Sequence, residues 1–102
     1  MYSLIVQDII TTLEDHLLEH WQLEDYAKKI GYSKFHLTRS FKKETGLTIG
    51  EYIRKRRLAM ASLFLLHSDL SIMEISLECH FQSQEAFTRA FKELYNMPPG
   101  KY

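Results

Sequence analysis

The chain has 102 residues, 45% of them hydrophobic, with four glycines, two prolines and one cysteine; that suits one packed domain or two very small ones, and argues against a turn-rich β fold or an internal disulfide. Thirteen basic and thirteen acidic residues cancel, so any attraction for a polyanion has to come from where the charges sit. No apolar run reaches the ~18 residues that span a membrane and the start has no basic n-region, so a cytoplasmic protein with no membrane partner is expected.

Apolar spacing is helical almost throughout. Leu4, Ile5, Ile9, Leu13 and Leu17 recur every three to four residues and predict an amphipathic first helix. A short helix follows from about Leu23 to Ile30, with Gly31 as its stop. Ser33 is a suitable N-cap for a third helix, which has Leu37 and Phe41 inside and ends at Gly46. Thr48 caps a long helix through Ile53, Leu58, Ala61 and Leu65 to about His67, and Ser68-Asp69 breaks it. Ser71 caps a short helix with Ile72 and Ile75 inside and Glu74 placed for a capping box. Ser83 caps the last helix, with Phe87 and Phe91 inside, and Asn96 and Pro98-Pro99 close it. The expected organisation is all-α: an N-terminal subdomain over 1–47, a linking helix over 48–68 and a C-terminal subdomain over 69–102.

The chain also repeats. Ser33, Thr38, Arg39, Phe41, Lys42, Gly50 and Tyr52 return fifty positions later as Ser83, Thr88, Arg89, Phe91, Lys92, Gly100 and Tyr102. Upstream the offset is forty-nine: Leu23, Tyr26 and Tyr32 match Ile72, Ile75 and Phe81, so Gln82 is one extra residue in the second turn. Each copy is a short helix, a tight turn and a longer helix, which is the helix-turn-helix pattern.

Charge follows the first copy. Residues 1–27 hold six acids and no Lys or Arg; residues 28–57 hold ten bases and two acids, a net of +8; residues 58–102 net −2. A segregated basic patch attracts phosphates even on a neutral chain.

In a helix-turn-helix the second helix enters the major groove. On the first such helix Lys34, Phe35, Thr38, Arg39 and Lys42 are outward. Arg39 can donate two hydrogen bonds to guanine, Thr38 can bond a base or touch a thymine methyl, and Phe35 can pack on one. On the second, Gln84 can pair with adenine and Glu85 can accept from a cytosine amino group, beside Thr88, Arg89 and Lys92. Candidate phosphate contacts are Lys34, Lys42, Lys43, Lys55, Arg56 and Lys92.

The stretch from Leu23 to Tyr102 resembles the AraC/XylS family of transcription regulators. The resemblance rests on Gly31-Tyr32-Ser33, Leu37 to Lys42, Gly46, Tyr52-Ile53, Arg57-Leu58, Ala61, Ile72, Glu74-Ile75, Phe81 to Lys92 and the ending Asn96 to Tyr102. It implies seven helices, two helix-turn-helix subdomains and one long linking helix. It also implies double-stranded DNA as partner, RNA polymerase as a second candidate partner, no cofactor and no enzymatic activity. By residue match the family's base-contacting positions fall on Phe35, Thr38, Arg39, Gln84, Glu85, Thr88 and Arg89. The run from Ser83 to Lys92 looks most like members with an N-terminal DNA-binding domain and a C-terminal effector-binding domain. The sequence departs from the family at His80, where glycine is usual, at Ser76 for alanine and at Tyr26 for leucine.

A linking helix of roughly 20 residues is about 30 Å long, close to the ~34 Å of one DNA turn. Two recognition helices in successive major grooves, carried by one monomer, are therefore expected. The alternative is a helical protein–protein interaction module with Leu4, Ile5, Ile9 and Leu13 forming a partner groove. Other constellations carry less. His16 and His20 flank Glu19, two histidines where a structural zinc takes four ligands. Cys79 is expected in the core, and Trp21 at a helix junction.

Overall fold

A computed structural model describes residues 1–102, and its helices begin where side-chain hydroxyls can satisfy the first free N–H groups. α1 spans Leu4–Asp15, α2 Leu23–Ile30, α3 Lys34–Thr45, α4 Ile49–His67, α5 Ile72–Glu78 and α6 Gln84–Tyr95. A 3-10 turn, Pro99–Lys101, is the seventh helical segment, and there is no strand. Ser33, Ser71 and Ser83 accept hydrogen bonds from the N–H groups of His36, Glu74 and Ala86 at 3.0–3.1 Å. Thr48 forms a two-way box with Glu51, both bonds 3.0 Å. Gln22 lacks a hydroxyl; its own N–H instead donates to Asp25 at 2.7 Å.

Three helices end on a left-handed residue, and a fourth is followed by one. Gly31 and Gly46 end α2 and α3 at φ +89° and +79°. His80, just past α5, and Asn96, past α6, take φ +62° and +61°. The first helix stops short of the predicted Leu17: His16 N–H turns back to the Leu13 carbonyl at 3.3 Å, and α1 ends at Asp15. Leu17 stays buried in the turn that follows.

The chain divides into two compact units, Met1–Arg54 and Lys55–Tyr102. In the first, α1 packs on α2 and α3. Val6, Ile9 and Leu13 interlock with Tyr26, Ala27, Leu37, Phe41 and Ile49, and Trp21 sits at the edge of this cluster. This overturns the partner-groove reading of α1. Ile9 and Leu13 have no exposure left because the stripe packs on its own chain; of the four groove residues only Leu4 is exposed. Ser3 ties the start of α1 to the end of α3 through two bonds to Glu44, from its N–H at 2.7 Å and its hydroxyl at 2.6 Å.

In the second unit α5 packs on α6, and the 3-10 turn packs on α6. Ile75, Cys79, Phe87 and Phe91 are fully buried, and Leu58 and Ala61 from α4 nearly or fully so. Ser76 is buried too, with its hydroxyl donating to the Met73 carbonyl at 2.7 Å. The sequence repeat is kept in three dimensions. Phe41 meets Tyr52 edge-on at 5.5 Å, and fifty residues later Phe91 meets Tyr102 edge-on at 5.2 Å.

Candidate nucleic-acid interface

α3 and α6 have the same length and start and end fifty residues apart. Each buries two residues four apart, Leu37 and Phe41 in α3 and Phe87 and Phe91 in α6. What remains outside is set by the helix period. Phe35, Thr38, Arg39, Lys42 and Lys43 line one open surface concavity on α3. Ser33, His36 and Ser40 share it, and none of the three is among the residues expected to contact DNA. The signal was available: 33, 36, 40 and 43 form the stripe next to 35, 38, 39 and 42 at helical spacing. On α6 a second open concavity is lined by Gln84, Glu85, Thr88, Arg89 and Lys92. All seven predicted base-contacting residues thus fall in two groups, each on the outer side of a second helix.

The two groups differ in charge. The α3 concavity contains Arg39, Lys42 and Lys43 and no acid. The α6 concavity contains Arg89, Lys92 and the acid Glu85. Glu85 lies in the first turn of α6, where the helix dipole favours an acid; α3 has no acid there. Phe35 is 70% exposed, and the Arg39 guanidinium carbon lies 5.3 Å from the centre of its ring. The Thr38 hydroxyl donates to the Lys34 carbonyl at 2.8 Å, which leaves its methyl and lone pairs for an incoming base.

Lys34 and Lys42, both predicted phosphate contacts, already have partners in the protein. Lys34 donates to Glu24 at 2.7 Å, across the turn between α2 and α3, and does not line the concavity. That hydrogen bond is the main reason the Glu24 carboxyl is held below its ordinary range. Lys42 Nζ donates to the Gly46 carbonyl at 3.0 Å, helping to close the end of α3. Lys55 is exposed and Arg56 half-buried on α4, and neither lines the α3 or the α6 concavity. Two other features have local roles. His16 pairs with Glu19 at 2.6 Å and stacks on Trp21 at 3.8 Å. Burial pushes the Cys79 thiol up to about 11. No helix is long and apolar enough to cross a membrane.

Comparison with known proteins decides the family. A family described as a helix-turn-helix domain matches residues 26–102. The chain belongs to the AraC/XylS family. It is a family of transcription regulators with DNA-binding domains, not of enzymes. A Bacillus subtilis relative, described as an HTH-type transcriptional regulator, is 48% identical over 99% of this chain. The chain spans 34% of that relative's length. An AraC-type regulator from Chromobacterium violaceum is 27% identical in its crystal structure, with a TM-score of 0.87 over 95% of this chain and 87% of that one. The DNA-binding domain of AdpA, solved in complex with a target DNA, is 25% identical, with a TM-score of 0.84 over 98% of this chain and 90% of that one. This AraC-type domain shares its all-helical fold with both solved structures.

Proposed function

We propose that this chain binds duplex DNA at a specific sequence, with α3 and α6 each reading a major groove. The observation that carries the reading is the pairing of Thr38-Arg39 with Thr88-Arg89, at matched places on two matched helices, each pair in an open concavity. Arg39 and Arg89 donate to guanine; Gln84 and Glu85 read adenine and cytosine; Phe35, Thr38 and Thr88 pack on or bond to neighbouring bases. Lys42, Lys43, Lys55, Arg56 and Lys92 supply phosphate contacts, and Lys34 joins them by exchanging Glu24 for a phosphate. The likeness to AdpA, whose domain was solved on DNA, supports the reading.

One chain occupies one asymmetric site, because two unequal heads in one polypeptide need no two-fold partner. In the longer protein that the Bacillus relative exemplifies, an effector-binding domain and a contact with RNA polymerase complete the regulator in the cytoplasm. The test is selection of bound duplexes from a random pool, followed by titration of the winner. The expected result is an asymmetric consensus bound by one chain, with Arg39→Ala costing about 1–3 kcal/mol and relaxing one base pair. Equal affinity for the winner and for unselected DNA sinks the reading.

A further inference from the structure

Phe35 is out of place as a core residue. It is 70% exposed, while Leu37 and Phe41 supply the buried side of α3. Its ring has one partner of note, the guanidinium of Arg39, one helical turn further on and 5.3 Å from the ring centre. That is within the ~6 Å over which a cation is attracted to an aromatic face. The pair is spaced i, i+4, so the backbone itself brings the two side chains together.

The geometry favours recognition for a chemical reason. A guanidinium carries all five N–H donors in its plane and none on its face. A ring that holds the face leaves every donor free for a base. A carboxylate partner would occupy the same edge that guanine needs. A long, flexible arginine also gives up rotamer freedom when it binds, and a side chain already held gives up less. The second head makes the contrast. Fifty residues after Phe35 stands Glu85, so Arg89 has an acid rather than a ring four positions before it.

We propose that Phe35 is the positioning residue of the first head, holding the Arg39 guanidinium for the base that Arg39 reads. This rests on the DNA reading above. It differs from a direct contact between Phe35 and a thymine methyl, which would act on Phe35's own base pair and not on Arg39's.

The experiment uses the duplex selected by the natural chain from a random pool. The Arg39 base pair is the one whose exchange weakens binding of the natural chain but not of Arg39→Ala. Discrimination is the ratio of Kd values for the exchanged and parent duplexes. Phe35→Leu should lower that ratio about two- to fivefold, the size of an exposed cation–π contact. Phe35→Tyr, which keeps the ring, should preserve it, and in the Arg39→Ala background Phe35→Leu should change nothing at this base pair. Thermal unfolding shows that the variants fold, as expected at so exposed a position. If Phe35→Leu weakens both duplexes equally, the positioning role is overturned while DNA recognition stands. A pool with no preferred duplex overturns both. A DNA-free readout separates them further: ring current should shift the Arg39 side-chain proton resonances upfield of those of Arg89, and Phe35→Leu should abolish the difference. No such difference in the natural chain overturns the pairing by itself.

Discussion

Gly31 and His80 hold the same turn position forty-nine residues apart, and both have left-handed backbone, φ +89° and +62°. Glycine takes this conformation at no steric cost, whereas a side chain costs about 1–2 kcal/mol. A Cβ added to Gly31 meets nothing within 4 Å, so only the backbone term applies there. Gly31→Ala should therefore destabilise the first unit by about 1–2 kcal/mol. His80→Gly should stabilise the second by up to about 1 kcal/mol, since relief of strain outweighs the extra freedom of glycine when unfolded. Urea unfolding followed by helical circular dichroism gives both values. A neutral Gly31→Ala would count against the strain argument.

Lys34 is held by Glu24 across the first turn. A lysine that must leave a carboxylate to reach a phosphate adds less to counterion release than a free one. Lys43→Ala should thus reduce the slope of log affinity against log salt by about one, and Lys34→Ala by less. Glu24→Gln should make the slope steeper and raise affinity for all sequences, because it frees Lys34 and removes a charge that repels DNA. Titrations at several salt concentrations decide it; identical slopes for Glu24→Gln and the natural chain would mean that the pair opens freely.

The acid at Glu85 should make the heads unequal. Arg39→Ala is expected to cost about 1–3 kcal/mol of specific affinity, and Arg89→Ala less. Glu85→Gln should strengthen binding to unselected DNA while relaxing one base position in the selected site. Equal losses for the two arginine variants would show that local charge does not rank the heads.

Burial raises the Cys79 thiol from 9.0 to about 11, with nearby Arg57 opposing and Glu78 adding to the shift. The neutral thiol is the form that the fold favours, so its contribution is fully present below the unfolded value and fades as pH rises from 9 to 11. Stability of the natural chain should fall over that window by up to about 2–3 kcal/mol relative to Cys79→Ala. Below pH 9 this thiol should resist alkylation until the unit opens. Rapid labelling of the folded chain at pH 8 would contradict the burial.

Much of this architecture was legible because capping and periodicity are local. Ser33, Thr48, Ser71 and Ser83 each announced a helix start, and Gly46 and Asn96 each announced a stop. The burial of Leu37, Phe41, Phe87 and Phe91 followed from spacing, and the outer stripe followed from that burial. Tertiary choices were less accessible. An apolar stripe such as Ile9 and Leu13 reads the same whether it packs on its own chain or on another's. The Lys34–Glu24 bond joins residues ten apart around a turn, which helix spacing cannot foresee. His36 and Ser40 were passed over because only one stripe of α3 was followed into the site.

The stack of Trp21 on His16 lies wholly in the first unit, and Trp21 is the only tryptophan. Its emission is therefore a built-in optical probe of that unit, blind to the other, which has tyrosine and phenylalanine but no indole. Far-ultraviolet dichroism averages over both. If the fluorescence midpoint in urea departs from the dichroism midpoint, the halves melt as separate bodies, each with its own free energy. If the curves superimpose, the 102 residues behave as one cooperative block, and a substitution beside either reading helix will be felt at the other.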